Sequence, residues 1–200
     1  YLYDEDRYSS GYAGGYVTKN PKYRSKALYF STREIPVYPM QEAYEQGKPY
    51  LVGVFDVRLN NDGELIGYNR VEKCQDCSGL KWYAYIKTSK TDPWFNNSTY
   101  VDTLSKEAID EFIKITYDAY RDAVGGDFGM SIPAMFTDEP HSPAMIQMAY
   151  GKGDEEIKLP WTYSLPAEFE KKYGYDISDR LPEIIWNLAD GSISEARYNY

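Results

Sequence analysis

Two stretches of this chain end an apolar run in adjacent carboxylates. The first is Ile132-Pro-Ala-Met-Phe-Thr-Asp138-Glu139-Pro140-His141, and the second is Tyr1-Leu-Tyr-Asp4-Glu5-Asp6. A short strand that delivers acids at its C-terminal end is the usual geometry of an α/β active site. Cleaving a glycosidic bond needs this chemistry: one carboxyl to protonate the leaving oxygen and a second to act as base or nucleophile. Asp138 and Glu139 cannot form that pair themselves, because neighbours on an extended segment point to opposite faces. One faces the cleft, and the other braces a loop, binds a cation or accepts backbone bonds. Glu139, held beside Pro140, is the candidate acid, with Asp138 as its support. Asp4, Glu5 and Asp6 are candidates for bonds to substrate hydroxyls or for oxygen ligands to a hard cation such as calcium.

The element that must position Glu139 is a helix from Ser105 to Val124. Ser105 suits its N-cap and Glu107 its first turn. Ile109, Phe112, Ile113, Thr116, Tyr120, Ala123 and Val124 form an apolar stripe at spacings of three and four. Gly125-Gly126 ends it, and a strand over Ile132–Phe136 follows. Upstream, Tyr50–Leu59, Glu64–Val71 and Leu80–Thr88 read as three strands, the first two joined by the turn Asn60-Asn-Asp-Gly63. No helix separates them, so they form an antiparallel meander, read as a side layer. A short helix is expected over Pro21–Phe30, started by Asn20-Pro21. Another is expected over 142–150, and 151–156 reads as a turn. Leu159-Pro-Trp-Thr162 reads as a loop in which Trp161 lines a cleft. Pro166–Tyr173 reads as a helix stopped by Gly174. A last helical segment covers Ile177–Leu188, interrupted by Pro182.

Composition narrows the function. The 200 residues suffice for one domain with a core. A net charge of −9 argues against nucleic acid and against an anionic membrane surface. No apolar run has the length of a membrane span, and no signal peptide is present within these residues. Tyrosine is in excess, at 22 residues. It pairs a flat apolar face with a polar tip, as sugar-binding surfaces do. The aromatic loop from Asp92 to Asp102 adds Trp94 and two overlapping glycosylation sequons at Asn96 and Asn97. Cys74-Gln-Asp-Cys77 is half a zinc site at best, and His141 is the sole histidine. The cysteines read as a local disulfide or two free thiols.

Taken in order, Tyr3–Arg7 with Ser10-Gly-Tyr-Ala-Gly-Gly15, Tyr100-Val-Asp-Thr-Leu104, Phe128-Gly, Phe136-Thr-Asp-Glu-Pro140, Leu159-Pro-Trp161 and Tyr173-Gly-Tyr-Asp176 resemble large bacterial glycoside hydrolases. They are most similar to the α-L-rhamnosidase type, family 106, and its relatives. The resemblance spans the whole chain, 1–200, as one segment of a catalytic domain. It implies an α/β fold that is part of a (β/α)8 (TIM) barrel, with the meander at about 50–88 as an insertion. It implies inverting hydrolysis of α-L-rhamnosides in plant or microbial polysaccharides, using two glutamates and a calcium ion, with a plant or host glycan as the expected substrate. It also implies a periplasmic or secreted bacterial protein with further domains. Glu139 inherits a catalytic role with Asp138 beside it, and the second glutamate lies beyond Tyr200. Asp4, Glu5, Asp6, Trp94, Asp102, His141 and Trp161 are the candidate substrate contacts. Two other readings stand beside this one. One is a non-catalytic carbohydrate-binding module with Trp82, Trp94, Trp161 and the tyrosines as stacking platforms, and the other is an inactive piece of a larger protein.

Overall fold

A computed structural model describes residues 1–5, 8–72, 77–141 and 156–200. The largest element is a curled five-stranded sheet. Its strands are β2 (Lys26–Ser31), β3 (Tyr50–Leu59), β4 (Leu65–Arg70), β5 (Leu80–Thr88) and β7 (Ile157–Pro160), in the order β4-β3-β5-β2-β7. Every pairing in it is antiparallel. Among the described residues the one parallel pairing between strands is elsewhere: β1 (Leu2–Tyr3) lies beside β6 (Met135–Phe136) in a separate two-stranded sheet.

This overturns the barrel expectation. A (β/α)8 barrel needs parallel strands alternating with helices, and neither condition holds in the main sheet. The three meander strands form where the alternation places them, but they are three of the five strands of the main sheet, with β4 at its edge and β5 at its middle, and not an insertion at 50–88. The residues read as a helix over Pro21–Phe30 make one short turn, Pro21–Tyr23, and then enter strand β2. Asn20 does cap that turn, accepting from the Lys22 N–H. The 159–162 loop is partly strand, because Leu159 pairs with Leu28 in β7. The strand expected over Ile132–Phe136 shortens to Met135–Phe136. The expected helix over 142–150 and the turn over 151–155 lie outside the described residues.

One face of the sheet makes the main core. Leu28 and Phe30 of β2, Phe55 and Val57 of β3, and Trp82, Ala84 and Ile86 of β5 project there at period two. Against them pack α4 (Leu165–Tyr173), α5 (Leu181–Ile185) and α6 (Glu195–Asn199) through Phe169, Ile184, Ile185 and Ala196. Gly174, left-handed at φ 81°, stops α4 as its position suggests. Pro182 stands in the first turn of α5, so it starts that helix and does not interrupt it. Phe30 stacks on Trp82, and Trp186 meets both rings edge-on.

A second, smaller core holds Tyr12, Val17, Phe95, Tyr100 and Val101 against Ala108 and Phe112 of α2 (Lys106–Ile113). The capping expectation holds there: the Ser105 hydroxyl accepts from the Ala108 N–H. After α2 the helix passes through a π-helical turn, Lys114–Asp118, into α3 (Ala119–Val124). Helix α1 (Met40–Gln46) lies between β2 and β3 in the chain. Cys77 is disulfide-bonded.

The two cores meet at a buried ion pair. Lys26 opens β2 and Asp102 precedes α2; they stand 2.8 Å apart with side chains 2% and 0% exposed. The same Asp102 oxygen accepts from the Thr162 hydroxyl, and Lys26 also donates to the Lys22 carbonyl. Removing one partner of a buried, hydrogen-bonded pair leaves an uncompensated charge. Lys26→Met is therefore expected to cost about 3–5 kcal/mol in urea unfolding, and adding Asp102→Asn should restore part of that loss by deleting the stranded charge.

Glu183 of α5 ties the C-terminal helices down. It accepts from Tyr68, Arg180 and Ser194. Burial acts to raise its pKa, but the Arg180, Tyr68 and Ser194 bonds outweigh it and hold the carboxyl below its ordinary value of 4.5. A depressed acid stabilises the fold above its unfolded pKa and loses that effect as pH falls through the folded value. Glu183→Gln should thus lower the urea midpoint at pH 7 and flatten its decline below pH ~4.5. An unchanged acid limb in the variant would show that Glu183 does not set it.

Candidate active site

The two acid-tipped runs end side by side. Leu2 pairs with Met135 and Tyr3 with Phe136, and the Asp4 N–H donates to the Phe136 carbonyl at 3.1 Å. Both runs therefore deliver their carboxylates at the same end of one small sheet. Asp6 lies outside the described residues.

The loop after β1 clasps both strand exits through Ser10. Its hydroxyl donates to Asp4 Oδ1 at 2.5 Å and accepts the Asp138 N–H at 2.7 Å. Its own N–H donates to the Asp138 carbonyl at 2.8 Å. The second Asp4 oxygen accepts from the Tyr117 hydroxyl at 2.7 Å, and Tyr117 also meets the Thr137 hydroxyl. Asp138 accepts from the Tyr3 hydroxyl, and Glu5 from the Ala13 N–H. Among the described residues Asp4 and Asp138 are held by hydroxyls and not by a cationic side chain. Burial raises the Tyr117 pKa and the Asp4 bond adds to that, so this phenol remains a donor at neutral pH. Tyr100, whose hydroxyl donates to the Ser10 carbonyl, is pushed up to about 12, chiefly by burial.

The π-helical turn is what brings Tyr117 here. An extra residue in one turn rotates everything after it relative to an α-helix. The expected stripe carried Thr116 and Tyr120. The structure adds Ile115 and Tyr117, both packed against the second core. An open cleft of about 590 Å³ runs between this helix and the acids, lined by Tyr3, Asp4, Glu5, Ile115, Thr116 and Tyr120.

Two backbone positions here are strained. Apart from Asn96 and Asn97, the described non-glycine residues at positive φ are Ala13, at 46°, and Glu139, at 40°. Both flank the acid cluster. The left-handed region costs an L-residue roughly 1–2 kcal/mol, and such costs collect at functional sites. Gly11 is required in the same loop: it sits at φ 112°, and a Cβ there would come within 2.8 Å of Val101.

The sequence candidates divide. Asp4, Glu5 and Asp138 gather at the clasp. Glu139 is exposed at the exit of β6, with its carboxylate unbonded among the described residues. His141 stacks on Tyr100 at 4.2 Å, in line with an aromatic ladder through Phe95, Tyr12 and Tyr8 to Trp94. Trp94 is 65% exposed at its far end. Asp102 is consumed by the ion pair with Lys26, and Trp161 is fully buried in the main core. Sequence reasoning missed Ser10, Ala13 and Tyr117. The turn-forming composition of 9–15 marked a loop but not its contacts, and nothing in the helix pattern announced the π turn.

The calcium expectation concerns the same donors. Calcium takes six to eight oxygens. Both Asp4 oxygens and one oxygen each of Glu5 and Asp138 already accept protein hydrogen bonds. Among the described residues no group of three or more His, Cys, Asp or Glu side chains converges on a metal position. Searches of family models, curated proteins and solved structures find no match for the chain.

Ala13→Gly removes the Cβ that makes φ 46° costly while keeping the N–H bond to Glu5. It is expected to raise stability by up to about 1 kcal/mol, since relief of the left-handed strain exceeds the added entropy of an unfolded glycine. A lower urea midpoint for the variant would mean that Ala13 carries no strain.

Proposed function

We propose that the chain carries the acid side of a glycoside hydrolase site, with Glu139 as the proton donor. The observation that supports this most is the pairing of the two strand exits. It collects Asp4, Glu5, Asp138 and Glu139 at one end of one sheet, beside an open cleft. In this reading Asp138 and Asp4 are fixed by Tyr3, Ser10 and Tyr117 and hold the loop and strand ends in place. Glu139 is exposed and makes no side-chain bond among the described residues. Concentrated negative charge suits a transition state that develops positive charge on the sugar ring. The tyrosines lining the cleft offer faces for a pyranose.

The rhamnosidase resemblance makes α-L-rhamnosides of plant or host polysaccharides the first substrates to try. It also supports an inverting course, a secreted or periplasmic setting and further domains. Of the three tryptophans that the binding-module reading takes as platforms, Trp82 and Trp161 are fully buried and Trp94 is exposed. Removing a general acid typically costs 10²–10⁴-fold. Glu139→Gln in the protein should therefore lower kcat on a panel of aryl glycosides, α-L-rhamnosides included, by at least about 100-fold with KM little changed. Full turnover by the variant would sink the assignment of Glu139.

A further inference from the structure

A second cleft, of about 720 Å³, opens where α1, the start of α2 and the start of α4 converge. Its floor and rim are apolar and aromatic. Tyr44 and Tyr163 meet edge-to-face at 5.2 Å, and Met40 and Leu104 are exposed at 54% and 38%. Exposed apolar side chains gathered around a concavity mark a binding site more often than a bare surface. The aromatic wall is already oriented. The Tyr44 hydroxyl donates to Glu107 at 3.0 Å, and Glu107 is held in turn by Lys22. A ring fixed before binding loses little entropy when a ligand docks.

The polar groups on the same wall are less committed. Ser164 precedes α4, but its side chain makes no capping bond. Glu168, one turn further on the same face of α4, has no ionic or hydrogen-bond partner among the described residues. The cations nearby are engaged: Lys106 bonds Asp110 and Lys22 bonds Glu107. An acceptor-rich wall with its cations neutralised disfavours an anionic ligand. Flat apolar rings edged with free hydroxyl and carboxylate groups match a neutral sugar, which has C–H faces bordered by hydroxyl donors.

From this geometry we propose that the cleft between α1 and α4 is a non-catalytic binding site for a neutral saccharide. It stands apart from the acid cluster. The start of α2 faces this cleft and Tyr117 faces the acids, roughly 15 Å along the helix axis at 1.5 Å per residue. Its ligand class is argued from its own walls and does not depend on Glu139.

The test is titration of the protein with neutral oligosaccharides of hexose, pentose and 6-deoxyhexose units, read by amide chemical shifts. The expected result is binding with a Kd near about 1 mM, with shifts centred on Met40–Tyr44 and Ser164–Glu168. Tyr44→Ala and, separately, the surface variant Glu168→Ala should each raise Kd about tenfold or more. Glu168 is exposed on α4, so its loss leaves the fold intact if Tyr44→Ala does not. Asp138→Asn and Glu139→Gln should leave this binding unchanged, which separates it from the catalytic reading. No binding by any member of the panel overturns the proposal. So does binding that survives both cleft variants, or that is lost with the acid variants.

Discussion

The Lys26–Asp102 pair is the constraint on which the rest of the arrangement depends. Lys26 begins the strand that sits between β5 and β7, and Asp102 stands just before the helix that walls the acid site. Two charges this deep are stable only when mutual attraction and further bonds offset their desolvation. Thr162 supplies one of those bonds and the Lys22 carbonyl another. Around the pair the backbone is zipped: the Ser25 N–H donates to the Tyr100 carbonyl and the Asp102 N–H to the Tyr23 carbonyl. The position of α2 is thereby fixed to the sheet. Because α2 runs through the π turn into α3, the height of Tyr117 above Asp4 is fixed as well.

The acid site itself has little regular structure to rely on. A two-residue parallel pairing is too short to hold its own register. The loop after β1 supplies what the pairing lacks. Ser10 bonds both strand exits, and Tyr100 and Tyr12 pin the loop from below by donating to the Ser10 and Phe95 carbonyls. The strain at Ala13 and Glu139 follows from that geometry. The Ala13 N–H can reach Glu5, and the chain can turn into Pro140 after Asp138, only through backbone conformations that those side chains resist.

Local patterns in the sequence were readable where local forces decide. The strands 50–59 and 80–88, the 60–63 turn, the Ser105 cap and the Gly174 stop all follow from alternation, turn chemistry and capping. The two acid-tipped runs were visible as well. What was not visible is pairing. An apolar strand after a helix looks the same whether it joins a parallel barrel or a two-stranded patch, because its partner is chosen by contacts far away in sequence. The same holds for β2: Asn20-Pro21 signals a helix start and does cap one turn, but the chain then enters a strand whose head, Lys26, bonds Asp102, 76 residues away. The fate of Trp161 and Asp102 turned on the same distant packing.

The carboxylates of this chain are held in two ways, and the difference carries the functional argument. Asp102 and Glu183 bond cationic side chains, Lys26 and Arg180, at joints between elements. A charge neutralised in this manner is a structural group, with little left to offer a ligand. Asp4 and Asp138 are held by the hydroxyls of Ser10, Tyr117 and Tyr3, which orient a carboxylate without cancelling its charge. Asp4 lines the open cleft, and Glu139, exposed at the exit of β6, makes no side-chain bond among the described residues. A fold that needed these acids only as braces would be better served by lysine or arginine at the Ser10 and Tyr117 positions. Neutral donors there, together with two strained backbone positions, leave Asp4 and Asp138 without a cationic partner among the described residues. That is the combination expected of a site that must meet positive charge arising in a bound molecule.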